Sequence, residues 1–285
     1  MTAAVPAVPT AEVVVVIGAG SIGQAITRRV ATGRTVLVAD ISPDNAEAAA
    51  HTLRTAGYEA TTATVDVASH ESVAALADHA ATLGSVARVV HTAGLSPAQA
   101  SPQAIIAVDL VGVALVLEEF ARVIAPGGSG VVIASQAGHM LPPLPPEQNH
   151  ALANAAATEL AELAMLQADA VPTSGYAYAL AKRANILRVQ AASVLWGDRG
   201  ARLNSLSPGI IMTPLAMDEL NSAAGEAYQR MIQASAARLV GTPDEVAGAA
   251  AFLMGPDGAF VTGTDLLIDG GVIASITSGR YELSM

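Results

Sequence analysis

The 285-residue chain reads as an α/β protein with a doubly wound parallel sheet of Rossmann type. Three observations predict this. Short β-branched runs alternate with helix-forming segments along the chain. The first run, Glu12–Ile17 (EVVVVI), leads into a glycine loop and then a helix. No apolar stretch approaches the ~20 uncharged residues of a membrane span. The longest candidate, residues 104–120, is broken by Asp109 and closed by Glu118 and Glu119.

The elements follow in order. Residues 1–11 form a loose Pro/Ala tail, and 12–285 a single domain. Glu12–Ile17 suits a strand buried on both faces. A helix over 21–32 precedes a second strand at 35–39 (TVLVA). Further helices are expected at about 44–56, 69–83 (Ser69 as N-cap), 102–125, 175–196 and 243–254 (Thr242 as N-cap). The remaining strands fall at 59–65, 86–90, 131–134, 201–206 and 265–268. One segment breaks the alternation. Residues 139–173 separate strand five from the next helix by far more than an ordinary connection. They read as an insertion with a proline-rich turn (MLPPLPPEQ) and then one added helix (ALANAAATELAELAMLQADA). Residues about 213–235 read as a substrate lid, with a mobile part at 215–230.

Composition narrows the chemistry. There are 14 Lys+Arg against 25 Asp+Glu, a net charge of −11. That excludes the basic face a nucleic-acid partner needs and argues against an anionic membrane surface. The absence of cysteine removes disulfides, thiol catalysis and Cys-ligated metals, and fits a reducing, cytoplasmic setting. The N-terminus has no signal-peptide pattern. The six histidines show no metal-ligand spacing, so no metal is expected. His139 could line a pocket; most of the others read as surface residues. Glu118-Glu119 reads as a solvated or interface face.

Three motifs point to a nicotinamide dinucleotide and proton transfer. Gly18-Ala19-Gly20-Ser21-Ile22-Gly23 follows strand one and opens a helix, a loop that suits a pyrophosphate. Asp40 ends the next strand, 22 residues after Gly18. A carboxylate there accepts ribose hydroxyls and repels a 2′-phosphate, and the loop holds no cation, so NAD is favoured over NADP. A helix-capping role for Asp40 is the plainer alternative.

Tyr178 and Lys182, at i and i+4, share one helix face. An ordinary phenol titrates near pH ~10, so proton transfer near neutrality needs about 4 kcal/mol of help. A cation at ~4 Å, with effective dielectric ~20, supplies about that much. Lys182 is the only lysine beside thirteen arginines, and a compact ammonium is not interchangeable with a planar guanidinium. Ser135 ends strand five, where open α/β sheets place ligands. Each of these pairings also has a bland reading, as surface or strand-end residues.

Taken together, the chain resembles the short-chain dehydrogenase/reductases. The residues are Asp66, the Ser135 segment, Tyr178–Lys182, Arg202-Leu203-Asn204, Pro208-Gly209 with Thr213-Pro214, and Asp269-Gly270-Gly271. With the segment after Ser135, the likeness is to the hydroxysteroid dehydrogenase/carbonyl reductase branch. The resemblance implies catalytic Ser135, Tyr178 and Lys182. It implies cofactor contacts from Asp66, Val67, Ala93, Gly94, Pro208, Gly209, Ile211 and Thr213, besides the glycine loop, Asp40, Tyr178 and Lys182. It implies a homodimer or homotetramer formed through helices 102–125 and 175–196.

The chain departs from the family at three places. The glycine loop is one residue short, His91-Thr92 replaces Asn-Asn, and Asp109 stands where an Asn assists a proton relay. Asp109 is expected to order water or to pair with Lys182. The expected activity is hydride transfer between NAD and a secondary alcohol or ketone of apolar character. Met140, Leu141, Ile210, Met212, Leu215 and Met217 are expected in the pocket wall. The alternatives are a non-catalytic NAD-binding regulator and a same-fold epimerase or dehydratase.

Overall fold

A computed structural model describes residues 11–220 and 225–282, so of the expected loose tail only Ala11 is described. Among the described residues, seven strands form one parallel sheet in the order β3-β2-β1-β4-β5-β6-β7. They are β1 (Glu12–Ile17), β2 (Thr35–Asp40), β3 (Glu59–Thr64), β4 (Ser85–His91), β5 (Ile124–Ile133), β6 (Arg202–Pro208) and β7 (Asp265–Ile268). The chain runs outward from β1 to β3, returns at β4 and continues to β7. The strand order therefore reverses between β1 and β4, which opens a crevice at their carboxyl ends.

Helices cover both faces. On one side lie α1 (Ser21–Val30) and α2 (Pro43–Thr55). On the other lie α3 (His70–Leu83) and a helical run made of α4 (Pro102–Ile105), a π turn (Ile106–Val111) and α5 (Gly112–Val123). Then come α6 (Ala137–Met140), α7 (Pro146–Asn154), α8 (Ala157–Leu160) and α9 (Ser174–Asp198). After β6 come α10 (Pro214–Leu220), α11 (Gly225–Ala234) and α12 (Pro243–Met254), and after β7 the short α13 (Val272–Thr277).

The β1 run shows why both faces are covered. Val13, Val15 and Ile17 enter the core under α3, α5 and α9, whereas Val14 and Val16 enter the core under α1, α2 and α12. Successive side chains alternate faces, and burying each valine contributes roughly 1.5–3 kcal/mol. The caps fall where polar residues precede helical runs. Ser69 accepts from Ser72 N, and Thr242 forms a reciprocal capping box with Glu245.

Two expectations change. Strand five begins at Ile124 rather than at 131, because Pro126-Gly127-Gly128 bulges inside a strand instead of ending a helix. Its pairing jumps from Val86↔Ile124 to Arg88↔Ser129. The segment between Ser135 and Tyr178 is not one added helix. It is α7, α8 and a 3-10 turn at Ala164–Leu166, and α7 starts on Pro146, where a proline fits the first helical turn. Tertiary partners override the alanine-rich propensity. The guanidinium of Arg188 on α9 donates to Leu152 O (3.1 Å) and Ala155 O (2.9 Å). Glu118 on α5 accepts from Ala157 N at 2.9 Å and lies 3.1 Å from Arg188 Nη2. Leu152, Ala157, Leu160, Leu166 and Val171 are buried in the core beside α5 and α9.

The lone tryptophan, Trp196, is fully buried and donates from Nε1 to Leu117 O at 3.1 Å. No helix among the described residues is long and apolar enough to cross a membrane.

Candidate active site

At the switch point, a groove of about 750 Å³ is lined by Gly18, Gly20, Ser21, Ile22, Gly23, Asp40, Asp66, Val67, Ala93 and Gly94. Gly18 takes φ +100°, and a Cβ there would meet Ala93 N at 2.5 Å, while one on Gly23 would meet Gly18 O at 2.6 Å. Both positions thus demand glycine. Gly20 is different: a Cβ there would meet nothing within 4 Å. Gly20 is also the N-cap of α1, whose first turn has no side-chain cap and no acidic residue. Open space in front of free helix-terminal N–H groups suits a pyrophosphate.

Asp40 Oδ2 accepts from Ala19 N (2.8 Å) and Oδ1 from Ser42 N (3.0 Å). The carboxylate therefore braces the glycine loop and the turn into α2, and Asp40 lines the groove. No lysine or arginine lines this groove. Thr92 replaces the family's asparagine by a different bond: its hydroxyl donates to Gly18 O at 2.9 Å. Its backbone N–H and that of Ala93 both donate to Ile17 O, at 2.7 and 2.9 Å.

A second cavity, of about 380 Å³, adjoins the groove through Ile22, Thr92, Gly94, Leu95 and Thr213, which line both. Ser135, Tyr178, Lys182 and Asp109 all line it, with Pro208, Gly209 and Ile211. Lys182 is almost fully buried, its ammonium 3.1 Å from Asp109 Oδ2 and 3.4 Å from Ile133 O. The ammonium also lies 5.2 Å from the centroid of the Tyr178 ring. Burial opposes the charge on Lys182, but the neighbouring Asp109 carboxylate and Tyr178 together raise the lysine above its ordinary pKa.

Asp109 is fully buried on the π turn, and its Oδ1 accepts from Leu95 N at 2.7 Å. π turns inside α-helices recur at functional sites. A Cβ at Gly94 would sit 3.1 Å from Asp109 Oδ2 and 3.4 Å from Lys182 Nζ, so a side chain there would crowd the pair.

The pocket wall partly departs from expectation. Met140 and Ile210 line the cavity; Leu141, Met212 and Met217 do not. Leu141 packs against the core instead. Met212 is turned outward beside the Ile211↔Gly241 bridge, its N–H bonded to Gly241 O at 2.8 Å. Met217 is exposed on α10, whose Ala216 takes the inward position. The Leu215 side chain lies outside the described residues. Gln136, Leu95 and Pro97 were not anticipated; Ala227, Tyr228 and Met231 of α11 fall within the expected lid but were not singled out. The spacing of Ala227 and Met231 at i and i+4 was the available signal.

Neither His139 nor His91 behaves as a surface or pocket residue. His139 is not in the cavity wall; its Nε2 pairs with Asp265 Oδ2 at 2.8 Å, and Asp265 Oδ1 accepts from Ser205 and Ser207. His91 is buried at the end of β4. Burial, with the charge of Lys182 beside it, pushes its pKa down to about 3.

Among the described residues no cluster of three His, Asp or Glu could hold a metal.

The architecture and sequence match known proteins. Residues 12–162 match the short chain dehydrogenase family and residues 147–273 the family described as enoyl-(acyl carrier protein) reductase. The short-chain dehydrogenase/reductase bsc3 of Alternaria brassicicola is 40% identical over 264 residues, 92% of this chain and 96% of that protein. The 3-alpha-hydroxysteroid dehydrogenase/carbonyl reductase of Comamonas testosteroni is 30% identical over 200 residues, covering 68% of this chain and 75% of that one. Among solved structures, a 3-alpha-hydroxysteroid dehydrogenase from Pseudomonas sp. complexed with NADH superposes with a TM-score of 0.73. It shares 26% identity, over 94% of this chain and 100% of that one. A short chain dehydrogenase from Burkholderia cenocepacia in complex with NADP gives 0.70 at 25% identity, over 92% and 97%.

Proposed function

The chain belongs to the short-chain dehydrogenase/reductase family, and from that premise we propose that it oxidises a secondary alcohol, or reduces the matching ketone, with NAD(H). The observation that supports this best is the meeting of Ser135, Tyr178, Lys182 and Asp109 in one cavity that opens into the glycine-loop groove.

The bound dinucleotide supplies the hydride donor or acceptor. The chain does the rest. The α1 N-terminus and the glycine loop hold the pyrophosphate, Asp40 the adenosine ribose and Asp66 the adenine edge. Pro208, Gly209, Ile211 and Thr213 hold the nicotinamide side. Ser135 hydrogen-bonds the reacting oxygen and polarises it. Tyr178 Oη gives a proton to that oxygen in reduction and takes it in oxidation. Lys182 favours the phenolate and reaches the ribose. Asp109 keeps Lys182 charged. Asp40, and the absence of any cation from the groove, support NAD over NADP.

The substrate is of hydroxysteroid-like bulk and largely apolar, which Leu95, Met140, Ile210 and Met231 support. Residues about 213–235 act as a lid, since Ala216, Ala227, Tyr228 and Met231 face the cavity from α10 and α11. The segment 139–173 is an insertion that buttresses α5 and α9 and, Met140 apart, stays out of the cavity. The chain works as a homodimer or homotetramer in the cytoplasm. The exposed Val194, Leu195, Phe252 and Phe260 support association, and the absence of cysteine supports a reducing compartment.

The decisive measurement is absorbance at the NADH band, with NAD and NADP run in parallel, on hydroxysteroids, aliphatic alcohols and aromatic ketones. Tyr178→Phe and Lys182→Arg should each lose ~100-fold or more in kcat, with Lys182→Arg keeping charge and fold. Full turnover in Tyr178→Phe would overturn the mechanism. Tight NADH binding with no turnover on any substrate would point instead to a cofactor-binding regulator.

A further inference from the structure

One side chain in the cavity wall is polar, buried and poorly satisfied. Gln136, directly after Ser135, is 6% exposed. Its backbone is tied down, N–H to Pro208 O at 2.9 Å. Its amide is not. The Oε1 atom has no hydrogen-bond partner, and Nε2 meets only the thioether sulfur of Met231, at 3.3 Å. A thioether is a weak acceptor, and buried amides ordinarily find better partners. Asn149 and Asn185 also hold unpartnered buried atoms, but neither is in the wall of this cavity.

The location is specific. Oε1 lies 3.0 Å from where a Cβ on Gly209 would stand, so an alanine there would crowd the amide. Met231 comes from α11. The amide therefore sits between the carboxyl end of β6 and α11, one residue from the serine that binds the reacting oxygen.

We propose that Gln136 is a specificity-determining residue that hydrogen-bonds a second polar group of the substrate, a hydroxyl separate from the reacting oxygen. A hydroxyl both donates and accepts, so it satisfies the amide carbonyl or, with the amide turned over, the amide N–H. The substrate is then a hydroxylated ketone or a diol with an apolar frame, not a bare hydrocarbon ketone. The inference rests on the dehydrogenase reading above and refines its substrate class. Sites built to hydrogen-bond a substrate hydroxyl discriminate strongly against analogues that lack it.

The test compares cyclohexanone, 2-hydroxycyclohexanone and 4-hydroxycyclohexanone with NADH, on the full chain and on Gln136→Met, which keeps length and removes the amide. The native chain should favour one hydroxylated ketone by about tenfold or more in kcat/KM. Gln136→Met should lose that preference, with kcat/KM falling at least tenfold more on the favoured hydroxylated ketone than on cyclohexanone. Calorimetric Kd values for the same ketones, measured with NADH on the Tyr178→Phe background with and without Gln136→Met, should show the same pattern. These binding values decide the matter even if turnover is absent, so failure of the dehydrogenase reading is told apart from failure of this one. Equal losses on all three ketones, or no preference in the native chain, would each overturn the proposal.

Discussion

Lys182 and Asp109 form a buried pair that departs from the family in a readable way. An aspartate replaces an asparagine, and its carboxylate lies 3.1 Å from the ammonium. The carboxylate raises the lysine pKa against the pull of burial. Asp109→Asn removes most of that support against burial, so Lys182 deprotonates at lower pH. The alkaline limb of the kcat/KM profile should therefore move to lower pH. A profile superposable on that of the native chain would show that Asp109 acts only through its shape.

At this scale the sequence was most informative. Local spacing puts Tyr178 and Lys182 on one helix face and strand-end position marks Ser135, but only the family resemblance joined the three, which line one cavity. The contact of Asp109 with Lys182 was readable as an expectation, since the carboxylate stood in a known place. Gln136 and Met231 were not. They meet across 95 residues of chain, and nothing local announces such a contact.

Among the elements, the segment between β5 and α9 shows where propensity fails. Its alanine-rich stretch predicts a continuous helix, yet the chain breaks it at Ala155-Ala156. Two side chains from other helices take up the backbone groups freed there. Arg188 is almost entirely buried while bonding two carbonyls and facing Glu118. Removing one partner of a buried charge arrangement typically costs about 3–5 kcal/mol. Glu118 is partly exposed, so Arg188→Ala should cost about 3 kcal/mol. It should also admit proteolysis between residues 155 and 163 before the sheet unfolds. Cleavage no faster than in the native chain would mean that packing of Leu152, Leu160 and Leu166 alone holds the segment. The β5 bulge is a parallel case: the Pro-Gly-Gly signature is a turn signal, and only the pairing with β4 shows that it sits inside a strand.

For the molecule as a whole, acid stability has a definable contributor. His91 is neutral when folded, with a pKa of about 3, against 6.5 in the unfolded chain. Between those values the unfolded state binds the extra proton, so stability rises with pH across this window and falls as pH drops below about 6.5. At pH 5 the loss relative to pH 7.5 is about 2 kcal/mol from this group. His91→Asn, which restores the family's residue, should flatten that part of the curve, read as the urea midpoint at pH 5 and 7.5. An equal acid loss in both proteins would assign it to other groups.

The same buried interior has an optical consequence. Trp196 is the chain's sole indole, enclosed under α5 with its N–H bonded to a backbone carbonyl, and it is not in the wall of the substrate cavity or the dinucleotide groove. Its emission should stay blue-shifted while the helices hold, and turn red only when they part. The protein thus contains a single-site fluorophore for unfolding. Any quenching of it by bound NADH would have to be energy transfer through space rather than contact.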